Sequence, residues 1–247
     1  GQKSSLRKGV DILVACPGRL MDLIDQDVVR LDKVDIVVVD EADRMADMGF
    51  LPEVRKILNQ TQKDRQTILF SATLDGEVKQ LTKEYQNNPV RHEVGSAKPD
   101  MTQTEHHFWT VDSKKRIDLS VEVIKKAGPT ILFCRTRRIC DRVNDQLNDA
   151  GLRSATIHGG KSQNQRTFAL DHFTRGGSQV LVATDVAARG IHVDNVGCVI
   201  HYDPPEDDKT YLHRSGRTAR AGASGSVVSL VPPDRTGQAK RTIKSLE

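Results

Sequence analysis

The chain has 247 residues, a formal net charge of +4, 37% hydrophobic and 4% aromatic residues, a length that allows one or two domains with a sizeable core. Its apolar residues gather in tight runs, which excludes a disordered chain despite a mean hydropathy of −0.48. The charge permits a polyanionic partner but excludes histone-like basicity, and no apolar run has the length of a signal peptide or a bilayer span. Cys16, Cys134, Cys140 and Cys198 are scattered without CxxC spacing, so neither a zinc site nor a disulfide framework is expected. A soluble protein in a reducing, cytoplasmic setting, with no membrane association, is the expectation.

Along the chain, β-branched runs at residues 9–16, 35–40, 66–71, 129–134, 179–183 and 196–201 predict buried strands. Longer stretches of helical spacing lie between them: Phe50, Leu51, Val54, Ile57 and Leu58 make one apolar face, and Ile139, Val143 and Leu147 make another that ends before Gly151. This alternation predicts parallel sheets covered by helices, an α/β fold, twice over. Residues 95–104 carry Gly, Ser, Pro and polar residues without periodicity, and a linker at 98–103 is expected between lobes at 1–97 and 104–235. Residues 236–247 read as a basic surface helix or tail. Trp109 is expected in the core of the second lobe, and the low aromatic content favours tracking of a nucleic-acid backbone over base stacking.

A strand ending in Asp40 and Glu41 places two carboxylates where open α/β sheets bind ligands. An Asp there can hold Mg²⁺ through water, and a neighbouring Glu can orient or deprotonate an attacking water. Taken alone, such a pair reads first as a cap on the following helix. Arg217 and Arg220, three apart, can aim two guanidinium forks one way and suit a phosphate whose charge grows in a transition state; a lone RxxR reads equally as exposed surface charge. Ser71 and Thr73, following a strand, read by themselves as ordinary N-caps.

The longer strings decide between these readings. Asp40, Glu41, Ala42 and Asp43 open DEADRMADMGF, which resembles the second motif of DEAD-box RNA helicases, and further matches follow in family order. ACPGR resembles the TPGR motif that touches RNA through Pro17, Gly18 and Arg19, with Cys16 in place of Thr. Ser71, Ala72 and Thr73 match the SAT motif, which by resemblance couples hydrolysis to strand separation together with Asp43 and His213. ILFCRT, with Arg135 and Thr136, is similar to motif IV; Gln163 and Arg166 match the QxxR element; ATDVAARGI is similar to motif V and HRSGRTAR to motif VI. A set this long and ordered is specific where each motif alone is not.

The resemblance implies two RecA-like lobes, the first incomplete, that couple ATP hydrolysis to local RNA unwinding or remodelling, with ATP and Mg²⁺ as cofactors and RNA gripped by its backbone. It implies that Asp40 organises Mg²⁺, Glu41 positions water, and Arg217 and Arg220 meet the γ-phosphate. Gly160, Gln163, Arg166 and Thr184 would contact RNA, and Gly190 and His192 would lie by the nucleotide. The family usually carries Asp where this chain has His192, which leaves two alternatives for the ribose contact: the nearby Asp194 substitutes, or the contact is weakened.

HGGKS at 158–162 ends like a phosphate-binding P-loop, but the required first Gly is Ala155 and its place after the carboxylates is wrong for this motor. It is read as an RNA-facing loop leading into QxxR. No GxxxxGK[ST] string precedes ACPGR, so the expectation is a truncated sequence, inactive as an ATPase by itself. An RNA-binding fragment that works without ATP and a DNA-directed translocase are the competing readings.

Overall fold

The computed structural model describes residues 2–93, 104–188, 193, 196–219 and 224–246. Contacts divide the chain into two compact units between residues 93 and 94. The expected linker at 98–103 lies outside the described residues.

The first unit runs α1 (Gln2–Leu6), α2 (Pro17–Asp25), β1 (Ile36–Val39), α3 (Ala42–Asp47), α4 (Leu51–Leu58), β2 (Gln66–Leu69) and α5 (Gly76–Tyr85). β1 and β2 pair in parallel with Val39 opposite Leu69, so the chain must cross back between them, and α3 and α4 do so. Pro52 fits the first turn of α4, where its missing N–H has no intrahelical partner to lose. Leu51, Val54 and Leu58 then fall on one face and pack with Val39, Ala42, Val78 and Leu81.

The strand predicted at residues 9–16 is not formed. Ile12 and Val14 are 84% and 91% exposed, and among the described residues no strand pairs with this run. Apolar alternation makes a strand only where a neighbouring edge supplies the hydrogen bonds.

The second unit begins with β3 (Thr104–Thr110), α6 (Arg116–Ala127), β4 (Thr130–Phe133), α7 (Arg137–Asp149) and β5 (Ser154–Ile157). It continues with α8 (Gln163–Thr174), β6 (Val180–Ala183), α9 (Asp185–Ala188), β7 (Cys198–His201), α10 (Asp208–Ser215), β8 (Gly225–Val231) and α11 (Thr236–Leu246). The six strands form one sheet in the order β3-β8-β7-β4-β6-β5, and every pair is parallel. Central strands covered on both faces are mainly apolar, and every residue of β4, β6 and β7 is buried, Thr130 and His201 being the polar ones. Period-two alternation splits them between two cores: Leu132, Val180, Val182 and Ile200 pack beneath Cys140, Val143 and Leu147 of α7, while Ile131, Phe133, Leu181 and Val199 pack with Phe173 and Tyr211 on the other face.

β3, β5 and β8 were not predicted. β5 is only four residues long and three of them are half-buried, so its pattern is weak. β3 begins where the linker texture was expected to end, and it carries Glu, two His and Trp instead of an aliphatic run. Trp109 is not a core residue: it is 37% exposed on a strand at the sheet edge, with its ring 6.1 Å from that of His107. α11 is a surface helix, tied down where the Gln238 amide donates to Pro205 O and Thr242 Oγ1 donates to Asp208 Oδ1. Among the described residues no helix is long and apolar enough to cross a membrane.

Candidate functional site

In the first unit the candidate chemistry sits where β1 and β2 end. β1 stops at Val39, and the chain turns sharply through Asp40 and Glu41, both exposed. Glu41 adopts the left-handed conformation, φ 50° and ψ 46°, which a non-glycine residue rarely holds without surrounding support. That support is visible. Asp40 Oδ1 accepts the Glu41 N–H at 2.9 Å, and the Ala42 N–H donates to Phe70 O at 3.0 Å while Phe70 N–H donates to Val39 O at 2.8 Å.

Ser71 completes the junction. Its Oγ accepts the Asp43 N–H at 3.1 Å and donates to Thr73 O at 2.6 Å. The N-cap reading of Ser71 and Thr73 is thereby corrected, since the N-cap position of α5 is held by Asp75, which itself makes no side-chain cap bond. The cap reading of the acidic pair fails as well, because Glu41 occupies the N-cap position of α3 without a side-chain cap bond. Asp43 is buried, whereas Ala72 and Thr73 are exposed.

ACPGR enters α2, with Cys16 at the N-cap making no side-chain cap bond and Pro17 in the first turn. Gly18 and Arg19 are exposed. The Arg19 guanidinium pairs with Asp22 and donates to Gln2 Oε1 at 3.0 Å.

In the second unit, parallel strands bring several motif residues to one edge of the sheet, at the carboxyl ends of β4, β5 and β6. After β4, the Arg135 N–H donates to Asp203 Oδ2 at 2.9 Å and its guanidinium lies 3.4 Å from Glu206 Oε1. Thr136 caps α7, its Oγ1 accepting the Ile139 N–H at 3.2 Å and keeping its own proton to donate. After β5, Gly160 leads through Lys161 to Ser162, which forms a capping box with Gln165 at the start of α8. Gln163 and Arg166 follow one turn apart, Arg166 Nη1 donating to Gln163 Oε1 at 3.3 Å. The P-loop decoy is dismissed by contacts as well as by spacing, because Lys161 Nζ lies 2.9 Å from Asp141 Oδ1 and Ser162 is a helix cap.

After β6, Thr184 is half-buried and begins the turn into α9. The next residue, Asp185, accepts from both Nε and Nη2 of Arg214 at 2.6 and 2.8 Å. Arg214 also donates from Nη1 to Asp203 O at 2.8 Å, and its guanidinium lies 5.2 Å from the Phe133 ring centroid. Asp203 takes the Arg116 guanidinium at 3.0 Å. This lattice of the half-buried Arg116, Asp185 and Asp203 with the buried Arg214 was missed by sequence reasoning. Asp185 and Arg214 stand inside two recognised motifs, and burial of a charge beside a strand end is the signal that would have separated them from the exposed residues around them.

His213 lies on α10 and Arg217 in the turn that follows, both half-buried. Arg220, Gly190, His192 and the substitute Asp194 lie outside the described residues. The structure thus brings Asp40, Glu41, Asp43 and Ser71 together in one unit, and gathers Arg135, Thr136, Gly160 and Thr184 along one sheet edge in the other.

Residues 1–81 match the family model for the DEAD/DEAH box helicase domain, and residues 114–222 match that for the helicase conserved C-terminal domain. A crystal structure of a hypothetical ATP-dependent RNA helicase from Sulfolobus tokodaii is 30% identical over 100% of this chain and 72% of its own, with a TM-score of 0.55. The chain belongs to the DEAD-box helicases. The ATP-dependent RNA helicase DBP2 of Saccharomyces cerevisiae is 40% identical over 248 residues, which is 98% of this chain and 45% of that protein. S. cerevisiae Dbp5 bound to RNA and ADP BeF3 is 29% identical, covers 94% of this chain and 62% of its own, and has a TM-score of 0.82. This DEAD-box chain therefore spans less than half the length of the curated relative it matches, and both units have the RecA-like parallel-sheet architecture of the family.

Proposed function

We propose that this chain supplies most of the motor core of an ATP-dependent RNA remodeller. The observation that carries the reading is the junction at β1 and β2: two exposed carboxylates at a parallel strand end, followed directly by the Asp43 amide that Ser71 bonds to the segment that would report hydrolysis. In that reading Glu41 orients the attacking water and accepts its proton, and Arg217 and Arg220 supply positive charge to the γ-phosphate as it separates. Ser71, Ala72, Thr73, Asp43 and His213 couple that event to RNA. Pro17, Gly18, Arg19, Arg135, Thr136, Gly160, Gln163, Arg166 and Thr184 hold the RNA backbone, a grip that carries little sequence preference.

The donor set fits a magnesium ion held through water. Asp40 is exposed, and among the described residues it makes no ion pair and its Oδ1 accepts only from the Glu41 amide. Among the described residues no three carboxylate, His or Cys side chains cluster as a closed metal cage would require. Asp40 would hold the ion, which when bound neutralises phosphate charge.

The test is ATP hydrolysis by the intact protein with single-stranded RNA or with DNA of the same sequence. Stimulation by RNA and not by DNA is expected. Equal stimulation by both would move the reading to a DNA-directed translocase, and no hydrolysis with either would move it to an RNA-binding module.

A further inference from the structure

The turn after β5 contains a histidine to which no role has been assigned. His158 is 3% exposed and its ring is saturated with partners. The Gly160 N–H donates to its Nδ1 at 3.1 Å. A backbone amide can only donate, so Nδ1 carries no proton and the ring proton sits on Nε2. From there it is donated to Asp141 Oδ1 on α7, 3.0 Å away.

That hydrogen bond from His158 leads the causes that hold the Asp141 carboxyl below its usual range; partial burial opposes it and Lys161 assists it. An ionised Asp141 accepts only, and thereby selects the tautomer whose Nδ1 is free to receive Gly160. The loop is seated closely on this ring. A Cβ at Gly160 would lie 3.1 Å from both Nδ1 and Cε1 of His158, and one at Gly159 would lie 3.2 Å from the Arg137 guanidinium. Asp141, Lys161 and Arg137 are the charged groups around the imidazole and its loop.

We propose that His158 is a positioning residue for RNA engagement: its Nδ1 fixes the Gly160 amide and so sets the loop that delivers Gln163 and Arg166. The inference rests on reading Gly160, Gln163 and Arg166 as RNA-backbone contacts. It touches no reacting atom, and its effect belongs in RNA affinity, with turnover untouched.

Two substitutions in the intact protein separate the two ring nitrogens. His158→Asn places an amide oxygen near Nδ1 and keeps the acceptor for Gly160; His158→Gln reaches Asp141 as Nε2 does and loses that acceptor. His158→Gln is expected to weaken RNA affinity about three- to tenfold, the net worth of one hydrogen bond. The RNA concentration for half-maximal ATPase should rise by the same factor, with turnover at saturating RNA held within about twofold. His158→Asn should restore most of the affinity.

Asp141→Asn, at a side chain 47% exposed and so tolerant of change, releases the tautomer and should shift RNA affinity in the same direction. It decides the matter if a His158 variant does not fold. Unchanged RNA affinity in His158→Gln, equal losses in the Gln and Asn variants, or a loss of turnover without a shift in RNA half-saturation would overturn the inference. Arg166→Ala is the control for the underlying reading. If it weakens RNA binding while His158→Gln does not, the positioning role alone falls; if neither does, the RNA assignment of this loop falls with it.

Discussion

Arg214 is a charge almost wholly withdrawn from water, 3% exposed, and its cost is met by the two hydrogen bonds it donates to Asp185 and the one it donates to Asp203 O. Removing one member of such a pair leaves the other charge buried and uncompensated, which costs far more than the pair contributes in net stability. Asp185 retains 29% exposure, so water offsets part of the loss. Asp185→Asn is expected to destabilise the second unit by about 3 kcal/mol in urea unfolding. A loss below about 0.5 kcal/mol would mean that the pair behaves like a surface salt bridge.

At this scale the sequence was legible where chemistry and string coincide. Asp40, Glu41 and Ser71 were named from strings and are found in one bonded junction. Arg214 and His158 were not assigned correctly or at all, because their importance comes from burial and from partners far along the chain: Asp185 is 29 residues from Arg214, and Asp141 is 17 residues from His158. One-dimensional reading has no access to such pairings.

At the scale of elements, periodicity succeeded where both faces are covered. β4, β6 and β7 are mainly apolar and wholly buried and were all predicted; β3, β5 and β8 lie at or near the edges or carry more polar residues, and were not. Residues 9–16 have the pattern of a strand, but among the described residues no strand pairs with them. β7 also delivers His201 into the core, where Ser229 Oγ lies 3.3 Å from its Nδ1 and Tyr211 meets its ring edge-on at 4.8 Å.

Burial first, then the nearby Arg214 and His106, drives the His201 pKa well below its ordinary 6.5. The unfolded chain takes up a proton below about pH 6.5 that the folded state refuses, so stability is full above that pH and falls as pH drops through it. Residues 104–246, expected to fold alone because they hold a complete six-stranded sheet and its helices, should lose thermal midpoint from about pH 7 to about pH 5. His201→Gln should flatten the profile in that window. An unchanged slope would assign the acid sensitivity to other groups.

For the whole molecule, the two units carry different shares of the chemistry. The first presents Asp40 and Glu41 beside the SAT segment, and the second gathers the arginines, glycines and hydroxyls of the later motifs, so in the proposed function hydrolysis and RNA grip would draw on residues far apart in the chain. The α/β architecture and the order of the motifs were both readable before the fold was known, because each is written locally in strands and strings. The charge lattice around the buried Arg214 was not, since it exists only once β4, β6, β7 and α10 have been brought side by side.

The claim on which the rest depends is that Glu41, held in a left-handed turn at the end of β1, handles the water that attacks ATP. Glu41→Gln in the intact protein keeps size and hydrogen bonding while removing the basic oxygen. RNA-stimulated ATP turnover should fall at least about a hundredfold with nucleotide affinity retained; turnover within about threefold of the unaltered protein would contradict the account.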